Sequence, residues 1–275
     1  MPENGCLQTI PWETRNLGRQ SFAIDEDQLP LLTDGLLADR LAKIERQYGK
    51  VFVQVRLGKM HYSALPIIQR QGFYFVETAL VPYTVLKKNT ILDKFINYQA
   101  EFIPSRFQLE DLSLTLLDKR DEKQREVVKG IAAESFSDDR FHVDPQCSEA
   151  MANRRFSFWV DDLFADTDVV FHLLTYGSVC IGFLARKAEN LILAGFAKKH
   201  VGSGLGEFLW LSVLQALQSQ GFNQSHTMIS ANNTSVLNLY ARLGFKFKDP
   251  SVTLHYWSGY PLAHSTLARC AGEVA

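Results

Sequence analysis

The clearest chemical signal in the chain is Lys198-Lys199-His200-Val201-Gly202-Ser203-Gly204-Leu205-Gly206. Its three glycines sit at alternate positions between a strand-like run and a helical pattern. Residues without a Cβ reach positive φ and let a ligand approach the backbone. Successive N–H groups at a helix start form a concave anion site, helped by the positive end of the helix dipole. That chemistry suits a pyrophosphate. A Walker A loop would place Lys-Ser or Lys-Thr after the glycines, and none follows. A dinucleotide fingerprint would end in glycine, where this chain has Glu207 counting from Gly202 and Leu209 counting from Gly204. Gly202-Ser203-Gly204 does not form the G-x-S-x-G elbow of a lipase. Lys198, Lys199 and His200 add positive charge beside the turn. The competing reading is a solvated charge run next to a flexible loop.

The elements that must position this turn can be read from the pattern of apolar residues and breakers. Strands are expected at Leu112–Leu117, Asp168–Tyr176, Val179–Lys187, Leu191–Ala197, Gln224–Ala231 and Val252–Trp257. Helices are expected at Glu122–Phe136, Met151–Phe164, Gly204–Gln220 and Thr234–Leu243. This is an α/β chain with a mixed sheet. An earlier stretch repeats part of the plan. Gly49 and Gly221 lie 172 residues apart, and so do Gly72-Phe73 and Gly244-Phe245. At the same shift Leu37 meets Leu209, Leu41 meets Val213 and Ile44 meets Ala216. The repeated unit is helix, strand, helix, strand, with each first glycine closing its helix. Lys87 to Phe107 reads as a linker, which divides the chain into residues 1–107 and 108–275.

The chain has 275 residues, 46% of them hydrophobic and 21% charged, with a net charge of −1. This is ordinary globular composition, which excludes a disordered chain or a coiled coil. The near-neutral balance argues against nucleic acid as a partner. Cys6, Cys147, Cys180 and Cys270 are scattered and form no C-x-x-C pair, so neither a zinc site nor a disulfide scaffold is expected. No window approaches the ~20 apolar residues that cross a bilayer. Without a signal-like leader either, the expected setting is cytoplasmic, with no metal and no membrane.

Strand, then R/Q-x-x-G-x-G/A, then helix resembles the first motif of the GNAT superfamily of acyl-CoA N-acyltransferases. It reads here as Val201-Gly202-Ser203-Gly204-Leu205-Gly206. A second signature, N-x-x-A-x-x-L-Y-x-x-x-G-F, is similar to Asn233-Thr234-Ser235-Val236-Leu237-Asn238-Leu239-Tyr240-Ala241-Arg242-Leu243-Gly244-Phe245. Val201 replaces the usual Arg or Gln, and Val236 the usual Ala. The resemblance implies a GNAT fold: a partial, degenerate GNAT-like domain over 1–107, then a complete catalytic domain over 108–275. It implies acetyl-CoA as co-substrate, held by the glycine turn, Lys199 and Asn233, with its pantetheine along Ala194 and Phe196. The gap for it would open between the Leu191–Ala197 and Gln224–Ala231 strands. Tyr240 would protonate the departing thiolate. Asn233 is also a good N-cap residue, and Tyr240 could equally be a packed helix-face aromatic. His226 and Glu189 are the candidate bases, with a water chain as alternative. In the first copy His61 stands at the place of Asn233 and Ile68 at that of Tyr240, so that half reads as structural.

The arrangement also resembles dTDP-fucosamine acetyltransferases, which place a truncated GNAT-like part before a full domain. Val53-Gln54-Val55-Arg56, Gly72-Phe73 and Val76-Glu77 are similar, as is Ser137 to Pro145 before a helix bearing Trp159. By that resemblance Arg140 would clamp a phosphate or carboxylate, and His142 or Asp144 a sugar. The expected function is N-acetylation of a small primary amine, such as a nucleotide-linked amino sugar, by direct attack on the thioester. Protein or peptide N-acetylation and a silent CoA-binding module are the alternatives. A homodimer is compatible with each.

Overall fold

In the computed structural model, which describes residues 6–135 and 139–259, the chain opens with strand β1 (Leu7–Thr9), helix α1 (Pro11–Leu17) and strand β2 (Gln20–Ile24). Helix α2 (Asp34–Tyr48) follows, its N-cap Thr33 accepting a hydrogen bond from Leu36 N–H. It buries Leu37, Leu41 and Ile44 on one stripe and ends at Gly49, whose φ is 73°. Strand β3 (Val51–Gly58), helix α3 (Leu65–Arg70) and strand β4 (Tyr74–Val85) complete the first half.

The second half runs through helix α4 (Thr90–Asn97), strand β5 (Leu112–Leu116) and helices α5 (Glu122–Ser135) and α6 (Glu149–Ala165). Strands β6 (Val169–Tyr176), β7 (Val179–Lys187) and β8 (Asn190–Phe196) lead to helix α7 (Gly206–Ser219). Strands β9 (Gln224–His226) and β10 (Ile229–Ser230), helix α8 (Thr234–Arg242) and strand β11 (Lys246–Trp257) close the chain.

Two compact units emerge: residues 6–77 with 251–259, and residues Thr78–Pro250. In the first, β2 and β3 are parallel, with Phe22 opposite Val53, and β1 pairs antiparallel with β2. Its core joins Leu37, Leu41 and Ile44 of α2 to Phe22, Val53, Val55, Ile68 and Leu254. In the second, β5, β6, β7 and β8 form an antiparallel run, β8 meets β9 in parallel, and β9 and β10 pair antiparallel with β4. Mixed pairing bears out the expected α/β class. Helix α7 buries Leu209, Val213, Leu214 and Leu217 beside Leu184 and Leu191. A further cluster packs Val128 and Ile131 of α5 and Phe156 and Val160 of α6 with Phe171, Phe183 and Leu193.

Each unit is completed by a strand from the other half of the sequence. In the first, β3 pairs antiparallel with residues 251–257 of β11, placing Leu57 opposite Val252 and Gln54 opposite His255. In the second, Ile229 stands opposite Leu80 and His226 opposite Tyr83. Shifting Leu57 and Gln54 forward by 172, and Val252 and His255 back by 172, turns the first pairs into the second. The repeat therefore extends beyond spacing to strand register. Its glycines agree: Gly49, Gly72, Gly221 and Gly244 all have positive φ.

Two expectations change. Lys87 to Phe107 is packed structure rather than a linker: Asn89 caps α4, and Leu86, Leu92 and Phe95 are fully buried. Alternating charges and amides masked that apolar stripe. The expected division at 107/108 falls inside the second unit, because β4 joins β9 and the end of β11 joins β3. Cys6, Cys147 and Cys180 are free thiols, and Cys270 lies outside the described residues. Among the described residues no helix is long and apolar enough to cross a membrane. Also among them, no group of three or more His, Cys, Asp or Glu could hold a metal ion.

Candidate active site

The site begins with an irregularity in β8. Ala185 of β7 lies opposite Leu193 and Arg186 opposite Leu191, which leaves Ile192 as an extra residue on β8. Such a bulge bends its strand and increases the local twist. On its other edge β8 is in register with β9 at Asn190 opposite His226 alone, among the described residues. Beyond that pair the second strand stays with β4. Thr227 N–H donates to Pro82 O at 3.1 Å and Ala231 N–H to Thr78 O at 2.7 Å. The two strands part, and the expected wedge opens.

The glycine turn sits at the end of β8. Gly202 and Gly204 hold φ of 69° and 87°, conformations that side chains disfavour. A Cβ on Gly204 would stand 2.8 Å from Pro104 Cγ. Arg106 Nη2 donates to Ser203 O at 2.6 Å and fixes the turn from outside. Leu205 is wholly buried beneath it. Helix α7 starts at Gly206 with no side-chain cap, so its first N–H groups are not satisfied by one. A cavity of about 480 Å³ faces this helix start, lined by His200, Val201, Gly202, Ser203, Gly204, Gly206 and Arg242 among others. The His200 imidazole is held below its ordinary pKa by burial, then by Lys199 and Arg106, which marks a positive field at the turn. Arg242 Nε donates to Glu207 Oε1 at 2.6 Å within the same lining.

A second cavity of about 190 Å³ holds Tyr240, Leu191 to Ala194, Thr227 to Ser230, Phe156, Trp159 and Asp139. Ser135, Ala194, Trp210, Asn233 and Val236 line both cavities, so turn and phenol share one groove. Asn233 caps α8, its side chain accepting from Val236 N–H at 3.1 Å. Seven residues on, Tyr240 is only 3% exposed, packed edge-on to Trp210 and Phe245. Burial pushes its phenol well above the ordinary tyrosine range, opposed by the neighbouring Trp210 and Thr227 side chains. The buried Trp210 Nε1 makes no aligned hydrogen bond.

Ala194, Phe196, Val201, Gly202, Ser203, Gly204, Gly206, Asn233 and Tyr240 thus come together around one groove. Lys199 and Leu205 do not line it. His226 and Glu189 meet each other instead: His226 N–H donates to Glu189 O at 3.3 Å, and neither lines either cavity. The residues expected at the acceptor also lie off the lining. His142 bonds Asp139 through Nδ1 at 3.0 Å and Asn153 through Nε2 at 2.9 Å. Asp144 is 2% exposed and accepts from Gln146 N–H. Arg140 stacks over Phe141. Ser137 lies outside the described residues. Sequence reasoning missed Ser135, Asp139, Trp210, Thr227 and Arg106. Only Trp210 carried a signal, one turn into the helix after the glycines.

The sequence matches no protein-family model and no curated protein. Its structure is similar to solved ones. A GCN5-related N-acetyltransferase from Sphaerobacter thermophilus superposes with a TM-score of 0.59 at 14% identity, covering 91% of this chain and 76% of the other. The fold is the GNAT fold. A tandem GNAT protein from the clavulanic acid biosynthesis pathway gives a TM-score of 0.56 at 12% identity, covering 88% of this chain and 76% of that one. A GCN5-related N-acetyltransferase from Kribbella flavida gives 0.51 at 14%, with 90% and 83% covered. The tandem protein parallels the internal repeat found here.

Proposed function

We propose that this chain is an acetyl-CoA-dependent N-acetyltransferase acting on a small primary amine. The observation that carries the reading is the single groove joining the uncapped start of α7 to the Tyr240 phenol across the parted strands. The pyrophosphate would rest on the N–H groups of Gly202, Gly204 and Gly206, where the helix dipole favours negative charge; Ser203 N–H already donates to His200 O at 3.1 Å and Leu205 N–H to Ser203 Oγ at 3.4 Å. Val201 offers no side-chain donor there, so that contact is backbone. Pantetheine would run along the free edge of β8 at Ala194. The Phe196 carbonyl already accepts from Ser135 Oγ at 3.2 Å, which leaves Ala194 the better anchor.

A backbone N–H of the bulged strand would polarise the thioester carbonyl, as an oxyanion donor does. The neutral amine nitrogen attacks the carbonyl carbon and a C–N bond forms. Collapse breaks the C–S bond, and the Tyr240 hydroxyl gives its proton to the thiolate sulfur. The amine proton leaves through water, since His226 and Glu189 stand outside the groove. Holding both reactants together removes much of the entropic barrier, and no covalent enzyme intermediate is required. The first unit would be structural: Ile68, at the place of Tyr240, is fully buried in its core.

A nucleotide-linked amino sugar was the finer expectation, but Arg140, His142 and Asp144 are spent on local partners. The reading is tested by incubating the protein with acetyl-CoA and a mixed set of amines and peptides. Free thiol and an acetylated small amine, identified by mass spectrometry, support it. Exclusive acetylation of peptides, or bound acetyl-CoA that no amine consumes, would replace it with one of the alternatives.

A further inference from the structure

We infer that the acceptor is an apolar amine, its ammonium received by Asp139 and giving up one proton to water before the neutral nitrogen attacks, its hydrocarbon or aromatic body laid against Phe156, Trp159, Ile192 and Met228. This rests on the acetyltransferase reading and names the substrate class of the same site. The cavity that holds Tyr240 and Ala194 is walled by Phe156, Trp159, Leu191, Ile192, Met228 and Ile229. Among the described residues Asp139 is the one charged residue in its lining. Arg155 packs over the Phe156 and Trp159 rings, at 5.9 and 5.7 Å, and does not line the cavity.

Asp139 is fixed in advance. Phe141 N–H donates to its Oδ1 at 2.6 Å, and His142 Nδ1 lies 3.0 Å from its Oδ2. The imidazole is held in turn by Asn153 and by stacking on Phe156. The carboxyl side chain nevertheless stays 23% exposed, so a ligand can reach it. A carboxylate set in a carbon wall attracts a cation. The same wall disfavours a phosphate, which would meet like charge. It also gives a sugar's hydroxyls fewer partners than water does, since carbon outweighs the polar groups of Ser135, Thr227, Ser230 and Asn233 in the lining. At about 190 Å³ this end is smaller than the ~300 Å³ where drug-sized pockets begin. A nucleotide-linked sugar would have to extend beyond it.

The test compares 2-phenylethylamine and hexylamine with ethanolamine, glucosamine and a nucleotide-linked amino sugar, following thiol release from acetyl-CoA. The apolar amines should exceed the polar ones in kcat/KM by about 100-fold, the range that buried methylenes discriminate. Asp139→Asn should raise KM for 2-phenylethylamine about 10-fold or more and leave KM for acetyl-CoA nearly unchanged. Met228 is half exposed, so Met228→Lys should fold; it puts a cation in the wall and should raise the same KM. Faster turnover of a sugar amine, or unchanged KM in both variants, would overturn the inference. Equilibrium dialysis of 2-phenylethylamine against the same protein separates the two layers. Amine bound with no acetyl-CoA binding keeps this site and removes the acetyltransferase reading. Acetyl-CoA bound with no amine binding does the reverse.

Discussion

Tyr240 bears the heaviest chemical demand placed on any single residue here. A phenol that donates a proton must be protonated at working pH and must reach the sulfur. Burial keeps its proton on well beyond neutrality, and the residue lines the groove beside Ala194 and Thr227. Tyr240→Phe should lower kcat by about 100-fold or more, the range of general-acid effects, while changing the acetyl-CoA Kd little. Steady-state kinetics beside a binding isotherm check this, and equal losses in both would refute the acid role. Tyr240 was legible because its spacing from Asn233 and Gly244 is a pattern. Asp139 was not, because it stood beside the more conspicuous Arg140 and His142. Side-chain chemistry alone does not say which neighbour faces a cavity, and here the ring of His142 turns to Asp139 and Asn153.

At the scale of elements, the turn between β8 and α7 depends on glycine for two separate reasons. Gly204 has a φ of 87°, and a Cβ there would meet Pro104 at 2.8 Å. Gly204→Ala should cost about 1–3 kcal/mol in stability from backbone strain, and should weaken acetyl-CoA binding more than it slows bound turnover. Denaturant melts and calorimetry read the two effects. The β6–β7 pair gives a pH prediction. Buried His172 accepts a hydrogen bond from Arg186 Nε at 3.0 Å, so the ring must be neutral. Burial, then the Arg186 charge, lowers its pKa from 6.5 to about 4. The unfolded chain therefore binds the proton more readily. Stability from this group is complete above pH 6.5 and falls as pH drops toward 4, by about 3 kcal/mol in all. His172→Gln should flatten that part of the stability profile, measured by urea unfolding across the pH range. The elements themselves were largely legible from apolar periodicity, whereas the bulge at Ile192 carries no composition signal and appears only through register.

For the whole molecule, the repeat of 172 residues is the organising fact. The sequence showed it as matched glycines and helix faces, and suggested a cut near residue 107. Pairing between distant strands decides otherwise, and no local pattern reports which strand a given strand will choose. Leu254 is buried among Phe22, Leu37 and Val55, far from it in the sequence. Fragments 1–107 and 108–275 should therefore each fail to fold alone, since each lacks a strand that its own sheet uses. Circular dichroism and proton NMR of the separate fragments would show unfolded or aggregated chains, and two well-dispersed spectra would refute the exchange. The central claim is that the groove in the second unit receives an acyl-CoA, and calorimetric titration with acetyl-CoA tests it most directly. The account predicts one site with a Kd no weaker than about 100 μM, well within the usual range for enzyme substrates, weakened at least about 10-fold by Gly204→Ala. No heat and no saturable binding by the folded wild-type chain would contradict it.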